Sequence, residues 1–109
     1  MKTMIVTGAS RGIGAAIAKL AGQRGYAVCV NYAKSKAEAE QVVADIRGAG
    51  GKAIAVQADV SRDEEVKRLF LEVDQQLGKV DVLVNNAGRV NRQCRMDEMD
   101  EKTLTEVFI

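Results

Sequence analysis

Thr7-Gly8-Ala9-Ser10-Arg11-Gly12-Ile13-Gly14 is the stretch that decides how this chain folds. It follows a short apolar run, Met4–Val6, and leads into a segment with a helical period. Glycine permits left-handed turns and lets backbone N–H groups come within reach of a ligand. The helix start beyond it offers N–H donors without intrahelical acceptors, and the positive end of a dipole. The Ser10 hydroxyl and the Arg11 guanidinium can add hydrogen bonds and charge. Such a loop predicts a pyrophosphate site. Its spacing, Gly-x-x-x-Gly-x-Gly, is neither Gly-x-Gly-x-x-Gly nor the phosphate loop that ends in Lys-Ser/Thr. A glycine turn kept only for close helix–strand packing is the competing reading, and the flanking strand and helix lower its weight.

Outward from that loop, apolar runs recur at Met4–Val6, Ala27–Val30, Ala53–Val56 and Val80–Val84. They are rich in Val, Ile and Ala without clean alternation, as in strands buried on both faces. Helical periods lie between them. Ile13, Ile17, Leu20 and Ala21 share one face of the first. Ala39, Val42, Val43 and Ile46 share one face of the second, and Val66, Leu69, Phe70, Val73 and Leu77 line the third. Ser35-x-x-Glu38 and Ser61-x-x-Glu64 read as capping boxes, and Gly25, Gly48 and Gly78 as helix-ending residues. Connections this long specify parallel pairing, so the fold class is α/β, a doubly wound parallel sheet. A fourth helix is predicted from Asp100-Glu101, with Leu104, Val107 and Phe108 opening an apolar face. That face stops at Ile109, so the sequence reads as the N-terminal portion, residues 1–109, of a single larger domain.

Three further loops would share a rim with the glycine loop. At the end of the second run comes Asn31-Tyr32-Ala33-Lys34-Ser35-Lys36. An acid at this point of a dinucleotide fold would take the adenosine ribose hydroxyls and select NAD. None occurs before Glu38, and the surroundings are neutral or basic, with Arg11 able to approach. A charge pair at 4 Å is worth up to ~4 kcal/mol at an effective dielectric of ~20. A third of that is about a tenfold preference, so NADP is expected over NAD. Tyr32 and Lys36 have Tyr-x-x-x-Lys spacing, but a helix starting near Ser35 would not hold them on one face. Asp59-Val60 follows the third run, where the carboxylate can accept from an adenine amino group or simply lead into the Ser61 cap. Asn85-Asn86-Ala87-Gly88 follows the fourth, with two amides and room beside the backbone for a ring or ribose.

Composition narrows the chemistry. The 109 residues are 47% hydrophobic and 28% charged, ordinary for a folded chain. There is no His, which excludes imidazole bases and His-ligated zinc. Sixteen basic and 15 acidic residues leave a net charge of +1, so no bulk attraction to nucleic acid or membrane is expected. Cys29 and Cys94 are too few for a disulfide framework or a four-thiolate site. Cys29 reads as a small buried hydrophobe. No signal or spanning segment is evident, and the expected location is cytoplasmic.

Thr7-Gly8-x-x-x-Gly12-Ile13-Gly14, Asp59-Val60 and Asn85-Asn86-Ala87-Gly88, in that order and spacing, resemble the short-chain dehydrogenase/reductase family. Asn31-Tyr32-Ala33 and Gly51-Lys52-Ala53 are similar to its 3-oxoacyl-carrier-protein reductase or glucose-dehydrogenase-like members. The resemblance implies a Rossmann-like sheet in the order 3-2-1-4, and hydride transfer between a nicotinamide and an alcohol or carbonyl substrate. It implies cofactor contacts at Gly8, Ser10, Arg11, Gly12, Ile13, Gly14, Asn31, Tyr32, Asp59, Val60, Asn85, Asn86, Ala87 and Gly88. Asn31 and Tyr32 would discriminate NADP from NAD. The family's catalytic Asn, Ser, Tyr and Lys have no matching position before Ile109, so this chain alone is expected to be inactive. In full length, family members are often homotetramers. The sheet order would leave Val80–Val84 an open edge, prone to association. Arg89, where the family usually has an apolar residue, joins Arg92 and Arg95 in a basic loop read as solvated more readily than as an anion contact. The alternative function is a complete, non-catalytic nucleotide-binding module.

Overall fold

The computed structural model of the chain describes residues 1–86 and the backbone of 105–108. β1 (Thr3–Val6), β2 (Ala27–Tyr32), β3 (Lys52–Gln57) and β4 (Val80–Asn85) alternate with α1 (Gly12–Gln23), α2 (Lys36–Gly48) and α3 (Asp63–Gln76). β5 (Thr105–Phe108) completes a parallel sheet in the order β3-β2-β1-β4-β5. The expected order 3-2-1-4 is therefore present, with one strand more.

Side chains alternate across this sheet as the pleat requires. Met4, Val6, Val28, Val30 and Tyr32 belong to a core shared with α1 and α2. Ile5, Cys29, Val56 and Leu83 belong to a second core shared with α3. Both faces are covered, which is why these strands read as continuous apolar runs. Burial among apolar neighbours, with a smaller contribution from the Glu72 charge, holds the Cys29 thiol far above its ordinary range. That suits packing and not thiolate chemistry.

Several details depart from expectation. Thr105–Phe108 is a strand where a helical face was expected, paired Val82 to Thr105 through Asn85 to Phe108. Local helix preference yields there to the ladder groups that β4 offers, and Thr, Val and Phe suit a strand. The same pairing covers the edge of β4 expected to be open. The expected helix start at Asp100-Glu101 lies outside the described residues. Gly48 is the last residue of α2, and Gly50 takes the left-handed turn, φ 92°. Ser61 does not cap α3. That helix starts at Asp63 behind Arg62, because the Ser61 hydroxyl donates to Asp59 Oδ1 at 2.6 Å. Ser35 does precede α2, but without a side-chain capping bond. Lastly, α1 buries Gly14, Ala15, Ala18, Ala21 and Gly22, while Ile13 is 64% and Leu20 48% exposed.

Candidate functional site

The glycine loop leaves β1 at the C-terminal rim of the sheet, between the departures of β2 and β4. This is where chain order reverses, the position at which open α/β sheets place their ligands. Gly8 at φ 60° and Gly12 at φ 64° occupy the left-handed region, so the loop's two turns depend on glycine. Gly14 answers to a different need: an added Cβ would stand 2.5 Å from both Asn86 Nδ2 and the Gly8 carbonyl oxygen. A Cβ on Gly12 would meet nothing within 4 Å.

Two asparagines grip the loop from opposite sides. From the β4 side, Asn86 donates through Nδ2 to the Gly8 carbonyl at 3.1 Å. Its backbone N–H donates to the Thr7 hydroxyl at 2.9 Å, and the Thr7 N–H donates to the Val84 carbonyl at 3.0 Å. From the β2 side, Asn31 Oδ1 accepts from the Gly8 N–H at 3.3 Å, and the Asn31 carbonyl accepts from the Ala9 N–H at 2.9 Å. Thr7, whose hydroxyl serves this grip, was not among the expected site residues. Its place before Gly8 was the only signal for it.

Beyond the loop, α1 begins at Gly12 with Arg11 in an extended N-cap conformation. The cap makes no side-chain hydrogen bond, and the first turn carries no acidic residue. Its positive dipole end and first-turn N–H groups thus lack the usual internal anion. Ser10 is half-buried and Arg11 is exposed. Glu38, in the first turn of α2, comes within 4.0 Å of Arg11. The acid that the sequence placed farther along the chain reaches the basic side chain across the turn.

The β2 exit reads differently in three dimensions. Asn31 is 2% and Tyr32 8% exposed, and the Tyr32 ring packs in the core beneath α1 and α2. Lys34 and Lys36 are exposed, and Ser35 is partly so. Tyr32 in β2 and Lys36 at the start of α2 sit on different elements, so they share no helical face and the Tyr-x-x-x-Lys spacing carries no proton-transfer pair.

At the β3 exit, the Asp59 carboxylate accepts from the Ser61 N–H at 3.0 Å as well as from its hydroxyl. The Asp59 N–H donates to Glu65, whose carboxyl is held below its usual range by Arg68 first and by that N–H second. Val60 packs against the core on the α3 side. Asn85 is buried at the end of β4. Ala87, Gly88, Arg89, Arg92, Cys94 and Arg95 lie outside the described residues. Among the described residues, no group of His, Cys, Asp or Glu could hold a metal ion.

A parallel α/β sheet with a glycine-built, anion-ready helix start at its switch point defines a dinucleotide-binding fold. The family model described as short chain dehydrogenase matches residues 2–109, and the chain belongs to that family. It is 52% identical over 107 residues to an uncharacterized oxidoreductase of Methylorubrum extorquens, covering 98% of this chain and 43% of that protein. It is 50% identical over 101 residues to the 3-oxoacyl-(acyl-carrier-protein) reductase FabG of Staphylococcus epidermidis, covering 91% and 41%. The chain thus spans less than half the length of these relatives. Among solved structures, a dehydrogenase/reductase from Sinorhizobium meliloti superposes with TM-score 0.78 at 46% identity, over 80% of this chain and 34% of that one. A 7α-hydroxysteroid dehydrogenase complexed with NADH gives 0.77 at 40%, over 81% and 34%. A Burkholderia cenocepacia protein with bound NADP gives 0.76 at 30%, over 90% and 41%.

Proposed function

We propose that this chain is the nucleotide-holding part of an NADP-dependent oxidoreductase acting on a small alcohol or carbonyl substrate. The observation that carries the nucleotide reading is the start of α1, whose uncapped first turn carries no acid and opens behind the Gly8–Gly12 loop. The first-turn amides, with Ser10 and Gly12, would hold the pyrophosphate. Asp59 and Val60 would border the adenine, and Asn85, Asn86, Ala87 and Gly88 the far side of the cleft. When bound, a nicotinamide cofactor supplies the hydride donor or acceptor.

Preference for NADP follows from charge. Arg11, Lys34 and Lys36 gather at the β1 and β2 exits against one carboxylate, Glu38, so a 2′-phosphate meets net attraction. With the Asn31 and Tyr32 side chains turned inward, discrimination falls chiefly to Arg11 and the two lysines. The NADH- and NADP-bearing neighbours show that this family accommodates both nucleotides. Membership in an oxidoreductase family favours this reading over a free-standing, non-catalytic module. A cytoplasmic location and a homo-oligomeric full-length protein complete the proposal.

Titration of the chain with NADPH and NADH tests it. NADPH should bind about tenfold more tightly, and Arg11→Ala should erase most of that difference while sparing NADH. Equal affinities in the unaltered chain would refute the NADP assignment. Residues 1–109 should not turn over, and steady NADPH formation with an alcohol would refute that part.

A further inference from the structure

Asn31 holds three parts of the rim at once. Its Oδ1 accepts from the Gly8 N–H, and its Nδ2 donates to the carbonyls of Val56 and Ala58, each at 3.3 Å. The side chain is 2% exposed, so solvent cannot replace these partners. Ala58 immediately precedes Asp59, and its own N–H donates to the Tyr32 carbonyl at 3.0 Å. One buried amide therefore links the glycine loop to the β3 exit, across the end of β2. A primary amide suits the task, because the loop needs an acceptor and the strand exit needs a donor.

We propose that Asn31 is a positioning residue for nucleotide binding: it sets Gly8 against the β3 exit and touches no part of the nucleotide. This rests on the nucleotide reading above, but it departs from a role in choosing between NADP and NAD. A residue that acts through the loop affects whatever the two nucleotides share. It leaves their ratio alone.

The test uses the full chain with Asn31→Ala, and with Asn31→Thr as a β-branched replacement suited to a strand. Hydrogen exchange should show the Gly8 amide losing protection while the Ala9 amide, bonded to the residue-31 backbone carbonyl, keeps it. NADH and NADPH should both bind about tenfold more weakly, the scale of a lost buried hydrogen bond, with their ratio unchanged. A changed ratio would mean direct contact and overturn the proposal. So would unaltered affinities, unaltered Gly8 exchange, or loss of protection at Gly8 and Ala9 together. Failure of both variants to fold would assign Asn31 to stability alone, and also overturn it. If the unaltered chain binds neither nucleotide, the nucleotide reading falls and this proposal with it. If it binds and the variants match it, only the proposal falls.

Discussion

α1 and α3 leave the same rim of the same parallel sheet, and their first turns are opposites. Neither N-cap makes a side-chain hydrogen bond, but α1 begins with no acidic residue. α3 begins with Asp63, Glu64 and Glu65, and Glu65 also takes the Asp59 N–H. One positive helix end has no carboxylate in its first turn, and the other is neutralised from within. Their buried faces differ in the same sense. α3 packs by bulk, through Val66, Leu69, Phe70 and Val73. α1 buries glycine and alanine, which lets the helix lie close to its neighbours; a Cβ on Gly22 would stand 2.7 Å from Ile46 Cγ2. On the nucleotide reading proposed above, the binding part of this rim is marked by what is missing: side-chain volume and carboxylates.

The largest effect should fall where bulk does the packing. Leu69 is 1% exposed, and Leu69→Ala should cost about 2–5 kcal/mol in urea unfolding. Leu20, the same residue type on α1, is 48% exposed, and Leu20→Ala should stay within about 0.5 kcal/mol. Similar losses at the two positions would erase the contrast between the helices.

Next comes a charge that makes one first turn resemble the other. Ile13 is 64% exposed at the start of α1. Ile13→Asp should leave stability level or raise it by about 0.3–1 kcal/mol through the helix dipole. The same change should weaken NADPH and NADH at least tenfold, because the carboxylate opposes the pyrophosphate. Ile13→Asn, neutral and of similar size to Asp, should retain most of the binding. If the Asp variant binds as well as the Asn variant, the α1 terminus is not where the anion sits.

The same contrast governs how much the sequence disclosed. α2 and α3 are legible because branched and aromatic residues mark the buried side: Val42, Val43 and Ile46 on one, Val66, Leu69, Phe70 and Val73 on the other. On α1 that rule selected Ile13 and Leu20, which face outward, since close approach rewards the smallest residues. The glycine loop was legible because its conformation restricts residue type. Asn31 and Tyr32 were placed at the right strand end, but no period in one strand reveals which rim side chains turn inward. Ser61-x-x-Glu64 had the spacing of a capping box. Asp59 competes for that serine at shorter range in the chain, so the box never forms. β5 depended on an edge donated by β4, a non-local partner that no local signal records.

The smallest effect concerns the carboxylate that closes the α3 end. Glu65 is held below the usual range by Arg68 at 2.9 Å and by the Asp59 N–H. A carboxyl whose folded pKa is depressed adds stability above its unfolded value of about 4.3, and that stability fades as pH falls through the folded value. Glu65→Gln removes the linkage, so its unfolding midpoint should lie slightly below that of the unaltered chain at pH 7. The two midpoints should converge as pH drops below about 4. Nucleotide affinity should fall less than threefold, since Asp59 keeps its bonds to Ser61 when Glu65 is lost. A difference that persists unchanged into acid would mean that Glu65 acts by packing and not by charge. The α3 terminus would then not be closed by the electrostatics that set it apart from α1.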